Sequence, residues 1–207
     1  MTEPITGVIL AGGSSRRMGH NKALLELDGR PLIAIIAERL RQVADEIVIA
    51  ANDCDAYRAY GDRCAPDHYS GMGTLAGIHA GLSAARHDLA FVVGCDMPFV
   101  NPTVIAWLME HATGYDVTIL QHADGIEPLH AAYRKSCLGP IAEALEAGKR
   151  RAYAFHEQVR VRYVSPAEIA HLDPELRSFR NLNTPEEWRE ALRESPAAST
   201  PGDSSNH

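Results

Sequence analysis

The sequence predicts an α/β fold in which a mostly parallel sheet carries helices on both faces. The first observation is the order of the elements, because short apolar runs alternate with amphipathic helical patterns along the chain, as in successive β-α-β units. The second is the composition of those runs, since residues 7–10, 47–50 and 89–93 are apolar throughout. Parallel strands are buried on both faces and therefore lack the polar alternation of a half-exposed strand.

The remaining elements are predicted from the period of their apolar residues. An apolar residue every three or four positions predicts helices at residues 31–43, 75–85, 102–109, 139–147 and 185–192. Further strands are predicted at residues 117–120, 129–133 and 159–164. The last of these is expected at an edge of the sheet, because apolar and polar side chains alternate in it. Thr184, three residues before Glu187, predicts a capping box at the start of the last helix.

The composition excludes fibrous, disordered and membrane-spanning proteins. Of the 207 residues, 45% are hydrophobic and 23% are charged, which is typical of a globular domain. The 20 basic and 27 acidic residues give a net charge of −7, so neither nucleic acid nor a membrane surface is expected as a partner. No apolar run reaches the ~18 to 20 residues of a membrane helix, and the start of the sequence lacks a basic signal region. The expected location is the cytoplasm.

We expect a single domain over residues 1–193 and a disordered tail over residues 194–207, which are rich in Ser, Pro, Ala and Thr. The cysteines form no C-x-x-C pair and have no zinc-site spacing, so four free, reduced thiols are expected at Cys54, Cys64, Cys95 and Cys137. The histidines are scattered and are not predicted to bind metal. His130 is expected either to pack in the core or to line a ligand pocket.

A glycine loop with three cationic side chains follows the first strand. Glycines in residues 10–22 allow the backbone to approach a ligand, and Arg16, Arg17 and Lys22 add positive charge. We therefore predict a phosphate-binding loop. It is not a Walker A loop, because Gly19 is not followed by Lys-Ser or Lys-Thr, and the pattern G-x-G-x-x-G is absent. The alternative is an ordinary turn with an exposed basic stretch.

A carboxylate follows the strand at residues 89–93. Ligands of parallel α/β sheets bind beyond the carboxyl ends of the strands, and Asp96 is expected at that edge. Mg²⁺ is commonly bound by one or two carboxylates together with phosphate oxygens and water. Asp96 next to a cationic glycine loop therefore predicts a Mg²⁺ site, although an aspartate at this position can also cap a turn.

These motifs together resemble the molybdenum cofactor guanylyltransferases over roughly residues 5 to 193. The segments that carry the resemblance are Leu10-Ala11-Gly12-Gly13, Arg17-Met18-Gly19, Lys22, Leu75-Ala76-Gly77-Ile78, Cys95-Asp96-Met97-Pro98-Phe99, Glu127-Pro128-Leu129-His130-Ala131 and Asn181-Leu182-Asn183-Thr184-Pro185-Glu186-Glu187. The first segment is shared by the wider nucleotidyltransferase superfamily. The segment that begins at Asn181 is the more specific one.

The resemblance implies a Rossmann-like fold of the nucleotide-diphospho-sugar transferase type. It also implies a Mg²⁺-dependent reaction, in which an oxygen of the molybdopterin phosphate attacks the α-phosphorus of GTP and pyrophosphate leaves. The product would be the guanine dinucleotide form of the molybdenum cofactor. The implied partners are GTP, molybdopterin and the proteins that deliver and receive the cofactor.

Roles for individual residues follow from the same resemblance. Arg17 and Lys22 would neutralise phosphate charge and, with Asp96 as the Mg²⁺ ligand, form the catalytic group. Asn52 and Asp67 match positions that face guanine and ribose. The backbone of four residues would hold the nucleotide, namely Leu10, Ala11, Gly12 and Gly13. Two residues would bind the pterin, namely Asn181 and Asn183.

Two other enzyme functions and one non-catalytic function stay open. Gly71-Met72-Gly73-Thr74 is similar to molybdenum cofactor cytidylyltransferases, where guanylyltransferases usually have Gly-Pro before Leu-Ala-Gly. Cytidylyltransferases, however, usually have alanine where this chain has Gly12. A sugar-phosphate nucleotidyltransferase is the second alternative. A non-catalytic carrier of the molybdenum cofactor is the third, and the presence of Lys22 and Asp96 argues against it.

Overall fold

A computed structural model describes residues 3–12 and 21–194 of the chain. The strands are β1 (Ile5–Leu10), β2 (Glu26–Leu27), β3 (Arg30–Pro31), β4 (Glu46–Ala50), β5 (Arg63–Ala65), β6 (Leu89–Gly94), β7 (Val117–His122), β8 (Gly125–Arg134) and β9 (Val161–Val164). The α-helices are α1 (Leu32–Leu40), α2 (Thr74–Ala84), α3 (Pro102–Glu110), α4 (Leu138–Glu146), α5 (Pro166–Ile169) and α6 (Pro185–Arg193). None of these helices has the length and hydrophobicity required to cross a membrane.

Seven of the described strands form one sheet in the order β5-β4-β1-β6-β8-β7-β9, and β2 and β3 form a separate hairpin. The pairs β4–β5, β1–β4, β1–β6 and β7–β9 are parallel, whereas β8 runs antiparallel to both β6 and β7. The predicted mostly parallel sheet is confirmed. Because β1, β4 and β6 are mutually parallel, their carboxyl ends meet at the same edge, with Leu10 in register with Ala50 and Gly94.

Helices cover both faces of the sheet, as predicted. On one face, Ile33 of α1 and Val104 of α3 pack with the buried side chain of Phe91. On the other face, Leu75 of α2 and Ile141 of α4 pack with strand residues such as Val8 and Val92. Each central strand therefore buries both of its faces, which explains why the sequence runs that predicted them contain no polar residue.

The longer predicted elements are confirmed, and several short ones were not predicted. The capping box is present, because the Glu187 amide donates to Thr184 Oγ1 at 3.2 Å and the Glu187 carboxylate accepts from the Thr184 amide at 2.8 Å. β9 is at an edge of the sheet, as expected. The elements that were not predicted have only two to four residues each, and they are strands β2, β3 and β5 and helix α5. Such short elements leave no periodic pattern. The predicted tail lies outside the described residues from position 195 onward.

The expectation of four free thiols was wrong, because Cys54 and Cys64 form a disulfide with a Cα–Cα distance of 5.5 Å. Cys95 and Cys137 are free. The physical reason is the parallel pairing of β4 with β5, which places Cys64 opposite Ile49 and beside the chain that leaves β4. Since β5 has only three residues, this pairing gave no signal in the sequence.

Removal of this disulfide should destabilise the protein. Replacing Cys54 and Cys64 together by serine is expected to lower the free energy of unfolding by about 2 to 3 kcal/mol, because the bridge restricts the unfolded chain across a loop of roughly ten residues. Urea denaturation of the oxidised wild type and the double variant measures the difference. Wild type treated with dithiothreitol serves as control and should match the variant. Equal stability of the variant and the oxidised wild type would contradict the prediction.

Candidate active site

Three segments that are distant in the sequence meet at the carboxyl edge of the sheet. The first two follow β1 and β6, and the Cys95 amide joins them by donating to the Leu10 carbonyl at 3.1 Å. The third precedes α6, and its Leu182 amide donates to the Asp96 carbonyl at 2.8 Å. The chain after β6 is therefore held from both sides by backbone hydrogen bonds, and these fix the position of Asp96.

Lys22 connects the same three segments through its side chain. Its Nζ lies 2.9 Å from Asp96 Oδ2 and donates at 2.6 Å to Asn183 Oδ1. The side chains of Lys22 and Asp96 are 19% and 23% exposed, so the ion pair is partly shielded from water and still reachable by a ligand. An ammonium group and a carboxylate that share a partly dry site interact more strongly than an exposed pair. The cation and the carboxylate that the sequence singled out are thus in direct contact.

These groups line a cleft of about 830 Å³, which is within the usual size range of small-ligand sites. Leu10, Gly12, Lys22, Asp96 and Asn183 form part of its wall. Other lining residues were not singled out by the sequence and come from the β2–β3 hairpin, α2 and α6; they include Leu25, Glu26, Thr74, Trp188 and Arg189. The cleft therefore combines charged groups from the strand ends with apolar and polar groups from the hairpin and α6.

Gly94, the last residue of β6, controls the position of the Asp96 side chain. A Cβ atom added to Gly94 would lie 2.6 Å from Asp96 Oδ1 and 3.4 Å from Leu129 Cδ1. The first distance is shorter than real Cβ contacts, so any side chain at position 94 would displace the carboxylate. Glycine is therefore required here by the close approach of the aspartate.

Replacing Gly94 by alanine should impair the site without removing any of its charged groups. We expect turnover to fall by about tenfold or more, because a displacement of the order of 1 Å at a reacting group costs up to roughly 10²-fold. Steady-state kinetics measures the loss. Gly139→Ala is a matched control, since no atom lies within 4 Å of a Cβ added there. Unchanged turnover in Gly94→Ala would show that the carboxylate position is not critical.

The first part of the glycine loop makes its own backbone contacts. The amides of Ala11 and Gly12 both donate to the Ala50 carbonyl, at 3.0 and 3.1 Å. The hydroxyl of Tyr57 lies 2.8 Å from Asn21 Oδ1 and 3.3 Å from the Ala11 carbonyl. Tyr57 therefore contacts described residues on either side of the stretch 13–20. Its residues Gly13, Arg16, Arg17, Gly19 and His20 lie outside the described residues.

Asn52 and Asp67 lie together, but neither belongs to the lining of the cleft. The Asp67 amide donates to Asn52 Oδ1 at 2.8 Å, and Asp67 Oδ1 accepts from the Tyr69 amide at 2.8 Å. They follow β4 and β5, and the Cys54–Cys64 disulfide joins the same two segments. The pair thus forms a polar shelf at the same edge of the sheet as the cleft. Asn181, in contrast to Asn183, does not line the cleft.

His130 and Cys95 lie near the site, but neither is in the protonation state that acid catalysis or nucleophilic attack would need at pH 7. His130 is fully buried between Phe91 and Phe179, and burial lowers its pKa to about 4. The imidazole is therefore neutral at pH 7, and the packing role is the one observed. Cys95 lines the cleft, but burial raises the pKa of its thiol to about 12, which leaves it protonated and a poor nucleophile.

The residues of the cleft fit a hard divalent cation that is shared with a phosphorylated ligand. Residues 3–12 and 21–194 contain no cluster of three His, Cys, Asp or Glu side chains that could by itself enclose a metal ion. Mg²⁺ does not require one, because it keeps several waters and takes phosphate oxygens as ligands. Asp96 supplies a partly exposed carboxylate beside the only lysine among the described lining residues.

Known proteins are similar to this chain over most of its length. A family model described as the MobA-like NTP transferase domain matches residues 7–161. A relative from Pelotomaculum thermopropionicum, named a probable molybdenum cofactor guanylyltransferase, is 42% identical over 180 residues, covering 87% of this chain and 88% of the relative. A molybdenum cofactor guanylyltransferase from Desulfosudis oleivorans is 39% identical over 191 residues, covering 91% and 95%.

A solved structure shares the fold. Molybdopterin-guanine dinucleotide biosynthesis protein A from Archaeoglobus fulgidus matches with a TM-score of 0.79 and 30% identity, over 91% of this chain and 97% of that one. The Rossmann-like, nucleotide-diphospho-sugar transferase type of fold that was expected from the sequence is thereby confirmed.

Proposed function

The chain belongs to the family of MobA-like NTP transferase domains, and from this we infer that it is a molybdenum cofactor guanylyltransferase. It transfers GMP from GTP to molybdopterin and releases pyrophosphate. The observation that carries this inference within the structure is the contact of Lys22 with both Asp96 and Asn183 inside one cleft. That contact brings a cation for phosphates, a carboxylate for a metal ion and an amide for a second substrate to one point.

The reaction exchanges one phosphoanhydride bond for another. An oxygen of the molybdopterin phosphate forms a bond to the α-phosphorus of GTP, and the bond from that phosphorus to the bridging oxygen of pyrophosphate breaks. Such transfers need little covalent help from a protein, so the rate depends on alignment and on the stabilisation of negative charge. We propose that Lys22 provides this stabilisation from the protein, together with Arg17.

Lys22 is well placed for this role, because its ammonium group is already held by two anchors. An ammonium group has three donors, so contacts with Asp96 and Asn183 leave one donor for a phosphate oxygen. We propose Asp96 as the ligand of Mg²⁺. When bound, that ion would neutralise phosphate charge and orient the triphosphate.

We propose that the base and ribose of GTP reach the shelf formed by Asn52 and Asp67. The amide of Asn52 and the carboxylate of Asp67 offer acceptors, and a guanine edge presents a ring N–H and an amino group as donors. The hydrogen bond from the Asp67 backbone amide holds the Asn52 side chain, and the Tyr69 amide holds the Asp67 carboxylate beside it. The backbone of residues 10–13 would then lie beside the nucleotide.

The pterin is proposed to occupy the opposite end of the cleft, near Asn183 and α6. Trp188 and Leu182 add an apolar wall there, and Trp188 packs on the small cluster formed with Leu27 and Leu32. A flat pterin ring stacks favourably on an indole face. We propose that Asn181 also serves pterin binding, although it lies next to Leu182 and not in the lining of the cleft.

The location of the protein and its partner proteins are also proposed here. We propose that residues 1–193 act as one domain in the cytoplasm, where GTP is made, and exchange the cofactor with delivering and accepting proteins. Because disulfides are rare in that compartment, thiol labelling of the protein in intact cells would show whether the Cys54–Cys64 bridge forms there.

Nucleotide selectivity tests the proposed function. Thermal stabilisation in the presence of Mg²⁺ should be larger with GTP than with CTP or ATP. Release of pyrophosphate should require both GTP and molybdopterin. A larger shift with CTP would favour the cytidylyltransferase that the Gly71–Thr74 segment suggests. Binding of the cofactor without release of pyrophosphate would identify a carrier instead.

A further inference from the structure

A second cavity lies next to the chain that follows Asp96. It has a volume of about 660 Å³ and is bordered by the β2–β3 hairpin, α1 and residues 98–102. No described residue lines both this cavity and the cleft, since the cleft takes residues 94–96 of the same segment and the cavity takes the residues beyond them. It is therefore a separate site.

Three arginines from three different elements line this cavity. They are Arg30 of β3, Arg39 of α1 and Arg177, which begins a 3-10 turn. Arg30 forms an ion pair with Glu38, and Arg177 pairs with Glu194 at 2.9 Å. Two of the three positive charges thus have a carboxylate partner.

Arg39 has no such partner within the described part of the chain. Its guanidinium group is half-buried and donates one hydrogen bond, to the Val100 carbonyl at 3.0 Å. Burial and the positive charges of Arg177 and Arg30 lower the pKa of Arg39, and the negative charge of Glu38 offsets only part of this effect. An arginine nevertheless stays protonated in proteins. The cavity therefore contains a half-buried guanidinium group whose other N–H donors can bind a ligand.

None of the acidic groups that line the cavity forms an ion pair with Arg39 among the described residues. The carboxylate of Asp173 accepts from the amides of Arg177 and Ser178, at 2.9 and 2.8 Å, and from the Ser178 hydroxyl. These three donors occupy both oxygens of the Asp173 carboxylate and hold it away from an ion pair with Arg39. Asp28 is exposed in the turn of the hairpin, where water screens its charge. The third acid, Glu194, is shared between Arg177 and Arg180.

We propose that this cavity binds a phosphate group between Arg39 and Arg177, with Arg30 at its entrance. Guanidinium groups bind phosphate through pairs of parallel N–H donors. A phosphate presents its acceptor oxygens in a tetrahedral arrangement and can accept from donors on several sides, whereas a carboxylate presents two oxygens in one plane. The Arg177 guanidinium lies 4.7 Å from the centre of the Phe99 ring, and this contact orients it toward the cavity.

Calorimetric titration of the full chain with inorganic phosphate tests the proposal. Arg39→Gln should weaken phosphate binding at least tenfold. Arg41→Gln is the matched control, because Arg41 follows the same helix, pairs with exposed Asp62 and does not line the cavity. It should change the affinity less than twofold. Equal binding by Arg39→Gln and the wild type would overturn the proposal, and so would an equal loss in the control.

A second pair of variants keeps the test independent of folding and of the nucleotide cleft. Arg30 has a 53% exposed side chain, so Arg30→Gln should leave the fold intact and weaken phosphate binding severalfold. Lys22→Ala should retain the phosphate binding that Arg39→Gln loses. Loss of all phosphate binding in Lys22→Ala, with none in Arg39→Gln, would place the phosphate in the cleft and refute the second site. A parallel titration with glycerol 3-phosphate shows whether the cavity prefers a phosphate monoester or free inorganic phosphate. Tighter binding than inorganic phosphate indicates a phosphate monoester, and weaker binding indicates the free ion.

Discussion

Replacing Asp96 by alanine is expected to reduce the rate of GMP transfer by about 10³-fold while the protein stays folded. Removal of one group that stabilises charge in a transition state typically lowers the rate by about 10²- to 10³-fold. We expect a rate loss at the upper end of this range, because Asp96 is the proposed metal ligand. The fold should survive because Asp96 is held through its backbone carbonyl by Leu182 and its side chain is partly exposed. The measurement is pyrophosphate release under saturating GTP and Mg²⁺.

Asp96→Asn sharpens this test, because the amide keeps the size of the carboxylate and removes its charge. If Asp96 binds the metal ion, both variants should lose activity and should need a higher Mg²⁺ concentration for half-maximal rate. The control is Asp124→Asn, which changes an exposed aspartate in the turn between β7 and β8. Near wild-type turnover in Asp96→Asn would contradict the role as a metal ligand.

The central part of the site could be predicted because it depends on parallel strands. Lys22 and Asp96 are 74 residues apart, yet each follows a strand that the apolar pattern identifies. Strand direction alone then places both at one edge of the sheet. The contact of Lys22 with Asn183 was not predicted, since only the resemblance gave Asn183 a role and it placed that residue toward the pterin. The amide is also a structural partner of the lysine.

Features that depend on short elements or on side-chain packing could not be predicted. The Cys54–Cys64 bridge requires a three-residue strand to pair with β4. The position of Trp188 at the cleft requires the orientation of α6 against the hairpin, and in the sequence it is only one apolar residue of an amphipathic helix. Likewise, the lack of an ion-pair partner for Arg39 among the described residues can be recognised only when the neighbouring side chains are placed.

Replacing Lys22 by alanine is expected to lower kcat/KM for GTP by about 10²-fold, with losses in both nucleotide affinity and turnover. The ammonium group would contact phosphate in the bound state and also in the transition state, where the charge on the leaving pyrophosphate grows. An interaction that is present in both states and stronger in the second raises KM and lowers kcat when it is lost. Binding isotherms with GTP and single-turnover rates separate the two effects.

The comparison with Lys22→Arg tells whether the charge alone is sufficient. Arginine keeps the positive charge, but its planar guanidinium cannot place three donors around one nitrogen as an ammonium group does. It therefore cannot reproduce the contacts with Asp96 and Asn183 at 2.9 and 2.6 Å. We expect Lys22→Arg to restore GTP binding more than turnover. Lys149→Ala, at an exposed position after α4, is the control and should behave as the wild type. Wild-type kinetics in Lys22→Ala would show that the phosphates bind elsewhere.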